Sequence, residues 1–152
     1  EVQEMLAVSS LTFNSAKVIV SMVPSCLFTP ISIVPSCLYT EPEIASVGLT
    51  ETQAREKGVQ IRVGRYDMKG NGQQIISRET GGFIKVIFAA NSDVLLGAQI
   101  MCARATDMIG ELATALANGL TSTQLMYAMR AHPTFNEAIS CAVENSRDNI
   151  KE

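Results

Sequence analysis

The sequence predicts an α+β fold, an antiparallel β-sheet flanked by helices, from three observations. Apolar residues alternate with polar ones, or run in short blocks, over 61–66, 83–88 and 94–101, which are strand lengths. Ala105, Met108, Ile109, Leu112, Ala113 and Leu116 then recur at helical spacing. The main strands precede the main helices instead of alternating with them, which is the ordering of a helix-covered antiparallel sheet.

Residues 1–33 differ in character from the rest of the chain. A short amphipathic opening leads to Lys17-Val18-Ile19-Val20 and then to a proline-punctuated apolar run, an atypical N-terminal segment or linker ahead of a single domain spanning 34–152. Within the run, Val23-Pro24-Ser25-Cys26-Leu27-Phe28-Thr29 is echoed 11 residues later by Val34-Pro35-Ser36-Cys37-Leu38-Tyr39-Thr40, too short and isolated a repeat for a solenoid. An extended segment continues from residue 34 through Gly48. Thr50-Glu51-Thr52-Gln53 is a capping box opening a short helix that Gly58 ends. The strand over 61–66 runs into Lys69-Gly70-Asn71-Gly72, read as a turn with no helix after it, and Gly81-Gly82 as a bend entering the next strand.

Strands over 83–88 and 94–101 form a hairpin through an exposed Asn91-Ser92-Asp93 loop. Asn118-Gly119 stops the long helix, and Thr121-Ser122-Thr123-Gln124 is a second capping box that opens a short helix through Met129. A final helix beginning at Thr134 packs Ala138, Ile139, Ala142 and Val143. Met101, Met108, Met126 and Met129 fill the core on these elements.

Composition excludes several functions. With 12 basic against 15 acidic residues, a net charge of −3 and no basic stripe, nucleic acid is not an expected partner. The uncharged stretch 18–40 is long enough to span a bilayer, but Pro24, Pro30 and Pro35 would break a lipid-exposed helix; a soluble protein without a secretory signal is expected. Cys26, Cys37, Cys102 and Cys141 are widely spaced, with no C-x-x-C pair and one histidine, so they read as buried free thiols and no metal site is expected.

That one histidine lies in His132-Pro133-Thr134-Phe135-Asn136-Glu137. A following proline biases His132 away from helix and lets the imidazole project from a loop, the usual seat of catalytic groups. Glu137 is close enough to reach back, and a carboxylate on one ring nitrogen fixes the tautomer and makes the other nitrogen a better base. The same spacing is also a complete capping box, Thr134-x-x-Glu137, in which Glu137 bonds only the backbone of its own cap and His132 is an ordinary histidine. Spacing leaves both readings open.

An ordered series of motifs resembles a known family. Pro35-Ser36-Cys37-Leu38-Tyr39-Thr40-Glu41-Pro42-Glu43-Ile44-Ala45-Ser46-Val47-Gly48, Gly82-Phe83-Ile84-Lys85-Val86, Leu96-Gly97-Ala98-Gln99-Ile100 and Ala131-His132-Pro133-Thr134-x-x-Glu137 are similar to the carboxy-terminal dimerisation domain of the dihydrolipoamide dehydrogenases. These belong to the flavin-dependent pyridine nucleotide-disulfide oxidoreductases. The resemblance runs over about 34–145, and the Ala-His-Pro-Thr setting points to the lipoamide branch rather than to the glutathione or mercuric reductases.

The resemblance implies a homodimer and His132 and Glu137 as catalytic residues. His132, held by Glu137, would take a proton from a dihydrolipoamide thiol so that the thiolate attacks a disulfide lying, with its FAD, in the other subunit. It implies a cis His132-Pro133 bond, NAD as the parent enzyme's second cofactor, and a cytoplasmic location, or the mitochondrial matrix in a eukaryote. The chain has no G-x-G-x-x-G and no C-x-x-x-x-C, so no cofactor-binding residue is assigned in it, and FAD and NAD are expected only in the parent enzyme. The alternatives are a stand-alone non-catalytic dimerisation module and the same domain from a sister disulfide reductase.

Overall fold

A computed structural model describes residues 31–148. The opening over 1–30, Cys26 and the first copy of the Val-Pro-Ser-Cys-Leu repeat lie outside the described residues. Five strands, β1 (Ser36–Leu38), β2 (Glu43–Gly48), β3 (Ile61–Asp67), β4 (Phe83–Ala89) and β5 (Leu95–Cys102), make one sheet in the order β1-β2-β5-β4-β3. Every pairing is antiparallel. The helices are α1 (Glu51–Glu56), α2 (Gly72–Ser77), α3 (Ala105–Ala117), α4 (Ser122–Tyr127) and α5 (Glu137–Asp148), with a 3₁₀ turn at Met68–Gly70.

The expected extended segment from residue 34 to Gly48 folds back on itself. A cis Glu41-Pro42 bond and the Thr40 hydroxyl, which donates to the Pro42 carbonyl at 2.7 Å, turn the chain so that Ser36 pairs with Ser46. The β4–β5 hairpin forms with a register shift at Ile87/Phe88. Its loop is less exposed than expected, because Asp93 adopts φ 62°, turns inward, accepts from the Ser122 hydroxyl at 2.6 Å and pairs with Arg62.

One face of the sheet presents Ala45, Val47, Ile84, Val86, Phe88, Ala98 and Ile100 to α3 and α5, forming the main core with Met108, Leu112, Ile139 and Val143. A smaller cluster on the other face gathers Ile87, Ala89 and Leu96. Both capping boxes form as read, at Thr50 and Thr121. The N-terminus of α3 has no cap from its own chain segment; Glu43 of β2 supplies one, accepting from the Thr106 amide at 2.9 Å and hydroxyl at 2.7 Å.

Helix α5 carries Glu137 at its start and buries Ala138, Ile139, Ala142 and Val143, the face anticipated from the sequence. Fully burying Ile139 and Val143 contributes about 1.5–3 kcal/mol each. The helix crosses β3 at Gly64, where a Cβ would stand 1.9 Å from the Ala142 carbonyl oxygen. Only glycine permits that approach.

Three further expectations need correction. Gly70-Asn71-Gly72 does open a helix: Asn71 caps α2, accepting from the Gln74 amide at 3.0 Å. Ile75 and Ile76 of α2 face solvent, so the burial periodicity that reveals amphipathic helices is absent there. Second, α4 ends at Tyr127; beyond it Ala128 is extended, which leaves Met129 97% exposed and outside the core. Third, α5 begins at Glu137 and not at Thr134, with Phe135 and Asn136 before it forming a turn. Among the described cysteines all are free, and Cys102 is buried while Cys37 and Cys141 are half-buried.

Candidate functional site

The segment 128–136 joins α4 to α5 and carries His132. Arg130 ties it down, its side chain only 6% exposed. The guanidinium donates to the Ser140 hydroxyl at 2.6 Å, to the Ala128 carbonyl at 3.1 Å and to the Leu125 carbonyl at 3.4 Å, and forms an ion pair with Glu111 of α3. The other Glu111 oxygen accepts from Asn136 Nδ2 at 3.0 Å. One carboxylate thereby fixes the segment to α3 immediately before Glu137. Arg130 Nε is buried and has no partner, so the carboxylate is the main compensation for this buried charge.

His132 and Pro133 are joined by a cis bond, as the family resemblance implied. The imidazole is 80% exposed, and its Nδ1 lies 2.8 Å from Glu137 Oε1. An ionised carboxylate can only accept, so it holds the proton of the neutral ring on Nδ1 and leaves the Nε2 lone pair free. The second Glu137 oxygen accepts from the Thr134 amide at 3.0 Å. That amide, and then the imidazole, hold the Glu137 carboxyl below its ordinary range.

Glu137 therefore makes both contacts that the spacing left open, one oxygen meeting the imidazole and the other the backbone amide of Thr134. The capping box is only half made, since the Thr134 hydroxyl donates to the Ala131 carbonyl at 2.7 Å instead of accepting from the residue at 137. The turn is braced from the far side of the sequence as well. Asn71 Nδ2 donates to the Thr134 carbonyl at 2.9 Å across 63 positions.

Sequence reasoning anticipated the His132–Glu137 contact and missed Asn71, Arg130, Glu111 and Asn136. Their spacing carries no signal. The one available cue was Arg130, a charged residue two positions before His132 in an otherwise uncharged segment. The thiol one turn along α5, Cys141, is pushed up in pKa chiefly by burial, so at neutral pH it is a poor nucleophile.

The one glycine-rich turn the sequence singled out does not fit a dinucleotide cofactor. The Gly70-Asn71-Gly72 turn follows a strand, but it lacks a third glycine, and the α2 it opens has six residues. Among the described residues no set of three or more His, Cys, Asp or Glu could hold a metal, and no helix is long and apolar enough to cross a membrane.

Residues 34–143 match the family described as the pyridine nucleotide-disulphide oxidoreductase dimerisation domain. The dihydrolipoyl dehydrogenase of Bacillus subtilis is 41% identical over 104 residues, covering 68% of this chain and 22% of that protein. That of Rhizobium etli is 42% identical over 102 residues, covering 67% and 21%. The chain thus spans about a fifth of the length of these curated relatives. Among solved structures, the HOCl-induced flavoprotein disulfide reductase RclA of Escherichia coli superposes with a TM-score of 0.71 at 26% identity, over 76% of this chain and 26% of that one. LpdA of Mycobacterium tuberculosis, at 23% identity and the same TM-score of 0.71 over 80% of this chain and 26% of that one, shares the fold. The helix-covered antiparallel sheet, the ordered motifs and a family match over most of the described residues agree: the chain belongs to the dimerisation-domain family of the pyridine nucleotide-disulphide oxidoreductases.

Proposed function

We propose that this domain dimerises within a dihydrolipoamide dehydrogenase and supplies His132 and Glu137 as the acid–base pair of the partner subunit's disulfide site. The carrying observation is the 2.8 Å contact between His132 Nδ1 and Glu137 on a ring left 80% exposed. It presents a free Nε2 at the surface with its tautomer fixed from behind. A cysteine thiol has an unperturbed pKa of about 8.5, and the alkyl thiols of dihydrolipoamide, with no flanking amides to acidify them, are likewise mostly protonated near neutrality. Nε2 accepts that proton, and the thiolate attacks one sulfur of the disulfide: a new S–S bond forms, the old one breaks, and the released sulfur leaves as a thiolate.

The disulfide, FAD and NAD belong in this reading to other parts of the parent enzyme, and this chain's residues take no step on them beyond that proton transfer. The chain alone is then catalytically incomplete. The working compartment is the cytoplasm, or the mitochondrial matrix in a eukaryote. The 41–42% identity to dihydrolipoyl dehydrogenases favours the lipoamide branch. The likeness to a flavoprotein disulfide reductase at 26% identity is the observation that favours a sister reductase as the second reading.

Replacing His132 by Ala in the full-length protein tests the assignment. General-base removal is expected to lower dihydrolipoamide turnover by about 10²–10⁴-fold with flavin retention unchanged. Turnover within about twofold of the parent would sink the proposed role.

A further inference from the structure

We infer that Asn71 is a positioning residue for His132, holding the imidazole's turn from outside the segment that carries it. The inference rests on the proposed acid–base role only for its kinetic arm. A ring that is mostly exposed has little packing to fix it, so its orientation depends on Glu137 and on the backbone of the turn behind it. Thr134 is the fulcrum. Its amide is held by Glu137 and its hydroxyl by the Ala131 carbonyl, both within the same short segment. Its carbonyl is held by Asn71, which arrives from a different part of the fold.

Asn71 is suited to act as a rigid brace. It is 4% exposed. Its amide nitrogen donates to the Met68 carbonyl at 2.9 Å, its own carbonyl accepts from the Ile75 amide at 3.2 Å, and its Oδ1 accepts from the Gln74 amide. With those groups fixed, Nδ2 has one direction left, toward Thr134. The 3₁₀ turn behind it is bonded to the sheet entry through the Met68 amide, which donates to the Gly82 carbonyl at 3.0 Å. The brace thus transmits the position of β3 and β4 to the turn, while Glu137 transmits that of α5. Glu111 ties Arg130 and Asn136 of the same segment to α3, but the grip on Thr134 itself from outside the segment is that of Asn71. Misplacing a catalytic group by about 1 Å costs on the order of 100-fold in rate.

The two functions of the Asn71 side chain can be separated. Asn71→Ser keeps a good helix cap and is too short to reach Thr134. Asn71→Asp keeps the cap and turns an acceptor toward the Thr134 carbonyl. His132 is the sole histidine, so its ring nitrogens give unique signals in a ¹⁵N-labelled sample of this chain. The wild-type ring is expected to show the Nδ1–H tautomer. In both variants the Nε2–H form is expected to grow with α2 intact, while the melting temperature falls, by more in the Asp variant, whose buried carboxylate faces a carbonyl.

In the full-length protein, Asn71→Ser is expected to lower kcat for dihydrolipoamide by about 10- to 100-fold, with KM and flavin retention unchanged. Wild-type ¹⁵N signals in both folded variants would overturn the brace. Loss of the tautomer preference beside a fully active His132→Ala enzyme would instead overturn the acid–base role and leave the brace standing. If Asn71→Ser fails to fold, the Asp variant carries the same spectroscopic test.

Discussion

Glu111 is a partly exposed residue whose removal the structure makes costly. Glu111→Ala takes two acceptors from the segment 128–136: the partner of the Arg130 guanidinium and that of Asn136 Nδ2. Removing one member of a buried ion pair costs about 3–5 kcal/mol, because the remaining charge stays out of water. Arg130 is nearly buried but Glu111 is 30% exposed, so solvent already screens part of the pair. The expected loss is about 2–4 kcal/mol, a large share of the ~5–15 kcal/mol that holds a domain of this size. Arg130→Met should cost less, about 1–2 kcal/mol, since the stranded carboxylate can draw in water while the stranded guanidinium cannot. Urea unfolding followed by circular dichroism measures both, at unchanged m. The double variant should be more stable than the sum of the single losses predicts, by about 1 kcal/mol or more. A Glu111→Ala unfolding free energy within about 0.5 kcal/mol of wild type, or strictly additive losses, would refute the view that this network bears the buried charge.

Two further outcomes are expected. Gly64→Ala drives a Cβ into the Ala142 carbonyl and to 2.7 Å from the Ser146 Cβ, so α5 must lift off β3; a loss of about 3 kcal/mol or more is expected, read by thermal melting. Glu137 is held below the ordinary glutamate range by the Thr134 amide and His132. Its stabilising contribution is therefore present above the unfolded-state value and disappears as pH falls through the lowered folded one. The Thr134 amide resonance should shift in that acid window, and the shift should vanish in Glu137→Gln; a shift centred above pH 5 would contradict the assignment.

The sheet and its covering helices were legible because burial leaves a period in the sequence. Residues 83–88 and 95–102 alternate or run apolar because both face packed neighbours, and Ala105 to Leu116 repeat at helical spacing because one stripe meets the sheet. Where burial leaves no period, the reading failed. Helix α2 exposes Ile75 and Ile76 and is held by the Asn71 cap, and Met129 lies beyond the end of α4 on extended backbone. The turn at Glu41-Pro42 was equally hidden in what read as one extended run. The candidate site divides the same way. His132 and Glu137 are five positions apart, so local spacing could anticipate their contact, whereas Asn71 and Thr134 are 63 apart and meet only through the folded sheet.

Glu137 joins the two parts of the site. One of its oxygens bonds the backbone amide of Thr134, and the other bonds a side chain. A carboxylate that met only the imidazole could swing with it, because both groups lie on the surface and an exposed pair is worth little by itself. The bond to Thr134 removes that freedom: with Oε2 tied to backbone, Oε1 has a fixed position, and the ring must come to it. The backbone in question is fixed in turn, because α5 buries Ala138 and Ile139 in the residues directly after Glu137. The helix-cap contact and the proposed acid–base pair of the same six residues are therefore compatible. The cap is the means by which a packed core sets the direction of an exposed imidazole.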